Sequence, residues 1–280
     1  MAKWDIEESS DTAGDPAVNQ ASSHKKVPKK DFTNVLSMFK PAIEIPAVKC
    51  LRCGIYGAPK AGKTHWVLTA KRPLYILDTE KSLPLLVKQL PEDVQKEIFV
   101  VDLVDYAEKK GQHMDVTKSM EAAFEIIGQL VDAVSESETI GTIAIDSMSD
   151  IWEYLKIWLA DNVDESKKFG DAIMGTEWGR ANKRWTQLMR LLQASDWNVI
   201  LTFKSKQKYD GVKATGIFDP DWQKNTFYWL DLNIEVKREF EDHRFVFHGG
   251  RFGDKYDDLI NPTFDDVREY LTKKSGVKFL

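Results

Sequence analysis

The sequence predicts an α/β fold in which a mostly parallel sheet is flanked by helices and followed by a C-terminal β-hairpin. Three observations predict it. Short apolar runs alternate with stretches of helical periodicity from Val48 onward. A glycine-bounded loop, Gly57-Ala58-Pro59-Lys60-Ala61-Gly62-Lys63-Thr64, joins the first run to the first helical stretch. Near the end, two longer strand-like segments meet at a polar turn.

Residues 1–30 are acidic and then basic, with few branched apolar residues, and read as a disordered tail. Residues 31–46 read as a linker and 47–280 as one domain. Ala47–Tyr56 reads as a strand entering the glycine loop, and the stretch from Lys63 as a short helix. Pro73–Asp78, Glu97–Leu103, Thr142–Asp146 and Asn198–Lys204 are short apolar runs of the kind found in strands buried on both faces. The segments 116–137 and 175–195 carry helical periodicity between them. Residues 228–250 read as the hairpin, and a capped helix starts near Thr263.

With 280 residues, 42% of them hydrophobic, the chain can bury a sizeable core. A net charge of −5 excludes a global basic field, so any nucleic acid must meet a local patch. No apolar run reaches the roughly 18 residues of a membrane span, and the polar N-terminus does not read as a signal peptide. Cys50 and Cys53 are spaced C-x-x-C, but a zinc site needs two more ligands and no second pair exists. They read as buried thiols of a core strand in a reducing cytoplasm.

The chemistry starts at the loop. In G-x-x-x-x-G-K-T the glycines let the backbone curl so that several N–H groups face one anion. The lysine reaches the β- and γ-phosphates, and the hydroxyl helps hold Mg²⁺. Gly57, Ala58, Pro59, Lys60, Ala61, Gly62, Lys63, Thr64 and His65 are therefore the nucleotide-binding candidates. Hydrolysis needs carboxylates as well. Asp146, at the end of the Thr142–Asp146 run, stands where a ligand to the water shell of Mg²⁺ is expected, with Ser147 beside it. The bland alternative is an Asp that caps the next helix. Glu80 follows the Pro73–Asp78 run in Asp78-Thr79-Glu80, at the carboxyl end of a strand where open sheets bind ligands. It can orient and polarise the attacking water. The alternative is a solvated loop glutamate.

A phosphate loop, a strand exiting into D-T-E and a strand ending in I-D-S resemble the motif order of RecA-like P-loop ATPases. The resemblance implies ATP and Mg²⁺ as cofactors and makes Glu80 the catalytic base alongside Lys63 and Asp146. Together with V-I-L-T (199–202) and a closing N-P-T-F (261–264), the pattern is similar to phage-type nucleotide-binding AAA proteins, among them compact single-strand annealing ATPases. It spans about Cys53 to Thr272. Such proteins often carry a His, and recombinases a Gln, at the end of the V-I-L-T strand to sense the γ-phosphate. Here Thr202-Phe203-Lys204 stands there, so the sensor is Thr202, a lysine, or missing.

The resemblance places DNA contacts in 161–185 and 204–225. The second region carries Lys204, Lys206, Lys208, Tyr209, Lys213, Phe218 and Trp222, cations interleaved with rings as in single-strand sites. A solvated basic loop with docked aromatics is the alternative. In the first region Trp178 and Trp185 are at helical spacing and read as core. Lys237 and Arg238, with Arg244, are candidates for a cation acting in trans across a homo-oligomer interface, ring or filament, with ATP near it. Phe39-Lys40-Pro41-Ala42 matches an F-x-x-A tether by position, although the pattern recurs at Phe169 and Ala172. The implied function is a DNA-stimulated ATPase that binds single strands and promotes annealing or strand exchange in recombination, in the cytoplasm, a bacterial host's if the chain is phage-encoded. Its partners would be single-stranded DNA and a single-strand-binding protein. A nucleotide-switched binding module and a small DNA motor are the alternatives. A phosphotransferase would need an arginine-rich lid, which the sequence lacks.

Overall fold

The computed structural model describes residues 38–44, 48–110, 113–169, 172–252 and 255–280. The tail over 1–30 and most of the linker lie outside them. Residues 1–46 and 47–280 form separate units. In the first, Ala42–Glu44 make a 3-10 turn and Phe39 is 74% exposed.

The second unit starts with β1 (Val48–Lys49) and β2 (Arg52–Gly57), then the glycine loop and α1 (Lys63–Val67). Next come β3 (Leu74–Asp78), two short helices α2 (Leu83–Val87) and α3 (Glu92–Gln95), and β4 (Ile98–Asp102). A small ribbon, β5 (Glu108–Lys110) and β6 (His113–Asp115), leads to α4 (Thr117–Ser135), β7 (Thr142–Asp146) and α5 (Met148–Asp161). A second small ribbon, β8 (Lys168–Phe169) and β9 (Ala172–Ile173), precedes α6 (Trp178–Ala194). The chain then forms β10 (Asn198–Asp210), β11 (Lys213–Pro220), β12 (Leu232–Glu239), β13 (Asp242–Gly250) and β14 (Leu259–Ile260). It closes with α7 (Phe264–Ser275) and β15 (Lys278–Phe279).

The main sheet runs β14-β13-β12-β2-β10-β7-β3-β4. Pairing is parallel from β12 to β4 and antiparallel through β12-β13-β14. Period-two alternation splits its side chains between two cores. Ile143, Ile145, Val199 and Leu201 face one layer, which includes buried residues of α4, α5 and α6. Ala144, Ile200, Ile55 and Ile234 face the other, where Trp66 of α1 and Phe264 of α7 pack. In α4 the buried stripe Met120, Ala123, Ile127, Val131 and Val134 follows the helical period. Burying each of the larger ones, such as Met120 and Ile127, contributes about 1.5–3 kcal/mol. Thr263 and Asp266 form the capping box that starts α7, and Gly276 at φ 70° ends it.

Two elements differ from the sequence reading. The strand expected over 47–56 is broken at Cys50-Leu51. There the Asn198 side chain takes the Leu51 N–H at 2.8 Å, while β1 pairs with β15 and β2 pairs with β10 and β12. Cys50 and Cys53 are buried free thiols. The region 204–225 is largely not a loop either. β10 continues to Asp210 and returns as β11, an antiparallel ribbon that extends beyond the sheet.

Candidate active site

Register places the chemistry in a row. Gly57 pairs with Lys204, and Asp78 pairs with both Asp146 and Asp102, so the carboxyl ends of β2, β10, β7, β3 and β4 share one edge. β10 lies between the strand that carries the glycine loop and the strand that carries Asp146. A cleft of about 820 Å³ opens there, lined by Gly57, Lys63, Thr64, Glu80, Asp146 and Lys204 among others.

The loop leaves room only for backbone at two places. A Cβ on Gly57 would come within 2.4 Å of the Val236 carbonyl oxygen, and one on Gly62, at φ 99°, within 2.8 Å of His243 Nδ1. The Lys63 ammonium donates to the carbonyls of Gly57 (2.9 Å) and Ala58 (3.0 Å), folded back over its own loop. Burial lowers its pKa, opposed by the charges of Asp146 and Glu80.

The Thr64 hydroxyl donates to Asp146 Oδ2 at 2.7 Å, and the Thr202 hydroxyl donates to Oδ1. Asp146 therefore does not cap α5, whose first turn follows Ser147. Burial raises the Asp146 pKa, and the two hydroxyl donors oppose that rise. A buried carboxylate and a hydroxyl within hydrogen-bond reach, beside a phosphate cradle, are hard oxygen donors that fit Mg²⁺. That ion is usually bound by one or two protein oxygens plus phosphates and water. Among the described residues no group of three or more His, Cys, Asp or Glu side chains is placed to hold a metal ion.

Glu80 stands in the cleft because Asp78 builds the turn beneath it. Asp78 is fully buried and accepts the N–H groups of Glu80 (2.9 Å) and Leu83 (3.1 Å). Burial raises the Asp78 pKa against these bonds. Lys204 Nζ lies 3.1 Å from Glu80 Oε1 and 2.7 Å from Asp150 Oδ1. Burial works against the Lys204 charge, but its bonds to the two carboxylates outweigh it and hold the pKa above the ordinary lysine value. Asp150 also accepts from Thr79 Oγ1 (2.8 Å) and Ser147 Oγ (2.7 Å), so Thr79, Ser147, Asp150, Lys204 and Glu80 are one network. Sequence reasoning passed over Asp150. Its signal was a carboxylate four residues after Asp146, in the first turn of the following helix.

Lys204, grouped by sequence with DNA-contacting lysines, thus lies in the cleft. Thr202 is wholly buried against Asp146. Trp222, read as a stacking ring, is partly buried and packs against the core, its ring centroid 5.0 Å from Phe203 and 6.4 Å from Tyr56. Lys206 pairs with Asp221 (3.0 Å) and Lys208 with Asp219 (3.5 Å), so these ribbon lysines are balanced by acids. Tyr209 is 61% exposed, and Phe218 and Lys213 are exposed. Trp185 is buried against Trp152, which also contacts Trp178. Of the hairpin cations, Lys237 pairs with Glu235, and Arg244 with Asp258 and Glu239. Arg238 lines the cleft of its own chain.

Residues 49–256 match the family described as AAA domain. The chain belongs to that family. With its phosphate loop between a strand of a mostly parallel α/β sheet and a helix, this AAA domain has the build of a P-loop ATPase. A solved structure titled "Crystal structure of the RadB recombinase" is similar at 15% identity and a TM-score of 0.47, over 77% of this chain and 86% of that one. No curated protein matches the sequence. Among the described residues, no helix of this AAA domain is long and apolar enough to cross a membrane.

Proposed function

We propose that this chain hydrolyses ATP and uses the cycle to control its hold on single-stranded DNA, promoting annealing or strand exchange in recombination. The observation that carries the reading is the convergence of Lys63, Thr64, Asp146 and Glu80 from separate elements on one cleft. Bound Mg²⁺ would supply charge neutralisation to the phosphates. Thr64 and Asp146 would hold it, Lys63 would turn from its loop carbonyls to the phosphates, and Glu80 would take the proton of the attacking water.

The link to DNA rests on β10. One strand carries Lys204 in the cleft and Tyr209 on the exposed ribbon. A γ-phosphate that draws Lys204 from Glu80 moves the base of that ribbon. Because Lys206 and Lys208 already face carboxylates, the rings of Tyr209 and Phe218 carry more of the expected affinity, with Lys213 as a further cation. An exposed Phe39 three residues before Ala42 supports a tether between copies in a ring or filament. A phage origin and a single-strand-binding protein as partner belong to the same reading, which the motif resemblance supports.

ATP turnover measured with and without single-stranded DNA tests it. Stimulated turnover, with DNA affinity that falls only modestly with salt because stacking carries much of it, is the expected result. A wild-type protein that binds no single strand at low salt, with or without ATP, overturns the DNA half. The second reading, a nucleotide-switched binding module with little turnover, is favoured by the ion pair that occupies Glu80. It predicts nucleotide-dependent binding without stimulated hydrolysis.

A further inference from the structure

The C-terminal hairpin rests on the phosphate loop of its own chain. β12 runs parallel to β2 with Glu235 opposite Tyr56, which brings Val236 alongside Gly57. Arg238, two residues on, shares the face of Val236 by strand alternation. Its cross-strand partner His243 donates Nδ1–H to the Ala61 carbonyl at 2.8 Å, and the Gly62 backbone lies against the same ring. Arg238 and His243 both line the cleft.

Sheet order gives the cleft two ends. Lys204, Asp146 and Glu80 come from or follow β10, β7 and β3, all on one side of β2, whereas β12 lies on the other. The water-activating end is therefore the β10 side, and the hairpin flanks the opposite side of the loop. The Arg238 guanidinium also differs from its neighbours. Lys237 and Arg244 are bound to carboxylates, but among the described residues Arg238 has no ion pair, and its Nε reaches only the Phe240 carbonyl at 3.4 Å. A guanidinium fork with open donors beside an anion cradle fits phosphate oxygens.

We propose that Arg238 binds the α- and β-phosphates of the nucleotide in the cleft of its own chain. It would thus act in cis and bind ground-state nucleotide, unlike a cation supplied by a neighbouring subunit to the transferred phosphoryl group. This inference rests on the nucleotide-binding reading of the cleft.

Calorimetric titration of the full chain with Mg²⁺-ATP and with Mg²⁺-ADP tests it. Arg238→Ala should weaken both nucleotides alike, roughly tenfold to a hundredfold, the scale of a charge-assisted hydrogen bond. Arg238→Lys should fall between the variant and the wild type, because it keeps the charge and loses the fork. The exposed side chain makes unfolding unexpected, and thermal unfolding checks it. Adding excess Lys63→Ala chains, which keep Arg238 but should bind no nucleotide, should restore nothing. Unchanged affinity, a loss confined to ATP, or restoration by the Lys63→Ala chains would each overturn the proposal and leave the cleft assignment standing. A wild-type chain that binds neither nucleotide would remove the underlying reading as well.

Discussion

Glu80→Gln separates catalysis from structure, because the geometry makes the exchange cheap for the fold. The side chain is 44% exposed, and Lys204, 47% exposed, is its ion-pair partner at 3.1 Å. A pair so open to solvent is worth about 0.2–1 kcal/mol. Lys204 keeps Asp150 at 2.7 Å when Glu80 loses its charge, which places the loss at the lower end. For a chain of this size that corresponds to a fall in Tm of about 4 °C at most. The turn that carries the residue is held through its backbone by Asp78, so glutamine keeps the loop in place. Nucleotide affinity should therefore stay close to wild type. A glutamine cannot accept the proton of water, and turnover should fall by about 10²-fold or more. The assay is steady-state ATP hydrolysis beside calorimetric nucleotide binding and thermal unfolding on the same preparation. A turnover equal to wild type, with binding intact, would refute the assignment of Glu80 as base and favour the switch reading.

Lys63→Ala should abolish nucleotide binding and hydrolysis while the protein stays folded, since among the described residues the ammonium bonds only to its own loop; wild-type turnover in a clean preparation would remove the phosphate-loop assignment. The raised pKa of Asp146 gives a pH dependence with a defined sign. The folded chain holds this proton more tightly than the unfolded chain, so stability from this group declines as pH rises through the raised value. Mg²⁺-dependent nucleotide affinity should do the opposite, weakening as pH falls through the same value, and Asp146→Asn should remove that limb; titrations across pH measure it. Trp222→Ala should lower stability by about 2–4 kcal/mol in denaturant unfolding, because it vacates a partly buried core position. Tyr209→Ala should leave stability unchanged and lower single-strand affinity by about 1–3 kcal/mol, the reverse pattern expected of an exposed stacking ring.

Contiguous stretches of sequence determined much of this protein. The loop Gly57–Thr64 is legible because its glycines, lysine and hydroxyl act through backbone a few residues long. The amphipathic period of α4 and the capping box of α7 are local in the same sense. Asp146 and Glu80 were legible as carboxylates at the ends of apolar runs, where a parallel sheet presents its ligands. Tertiary structure alone decided which strands are neighbours. Short runs buried on both faces carry little register information, so nothing in Asn198–Lys204 says that β10 lies between β2 and β7. That placement turns Lys204 from an apparent phosphate-tracking lysine into the partner of Glu80 and Asp150, and it seats Trp222 on Phe203. The pairing of β12 with β2 likewise sets Arg238 and His243 against a loop about 180 residues earlier in the chain. A lysine, an arginine or a ring has the same letter whether it faces solvent, a carboxylate or a core. Its role depends on long-range pairing, which only the folded chain brings about.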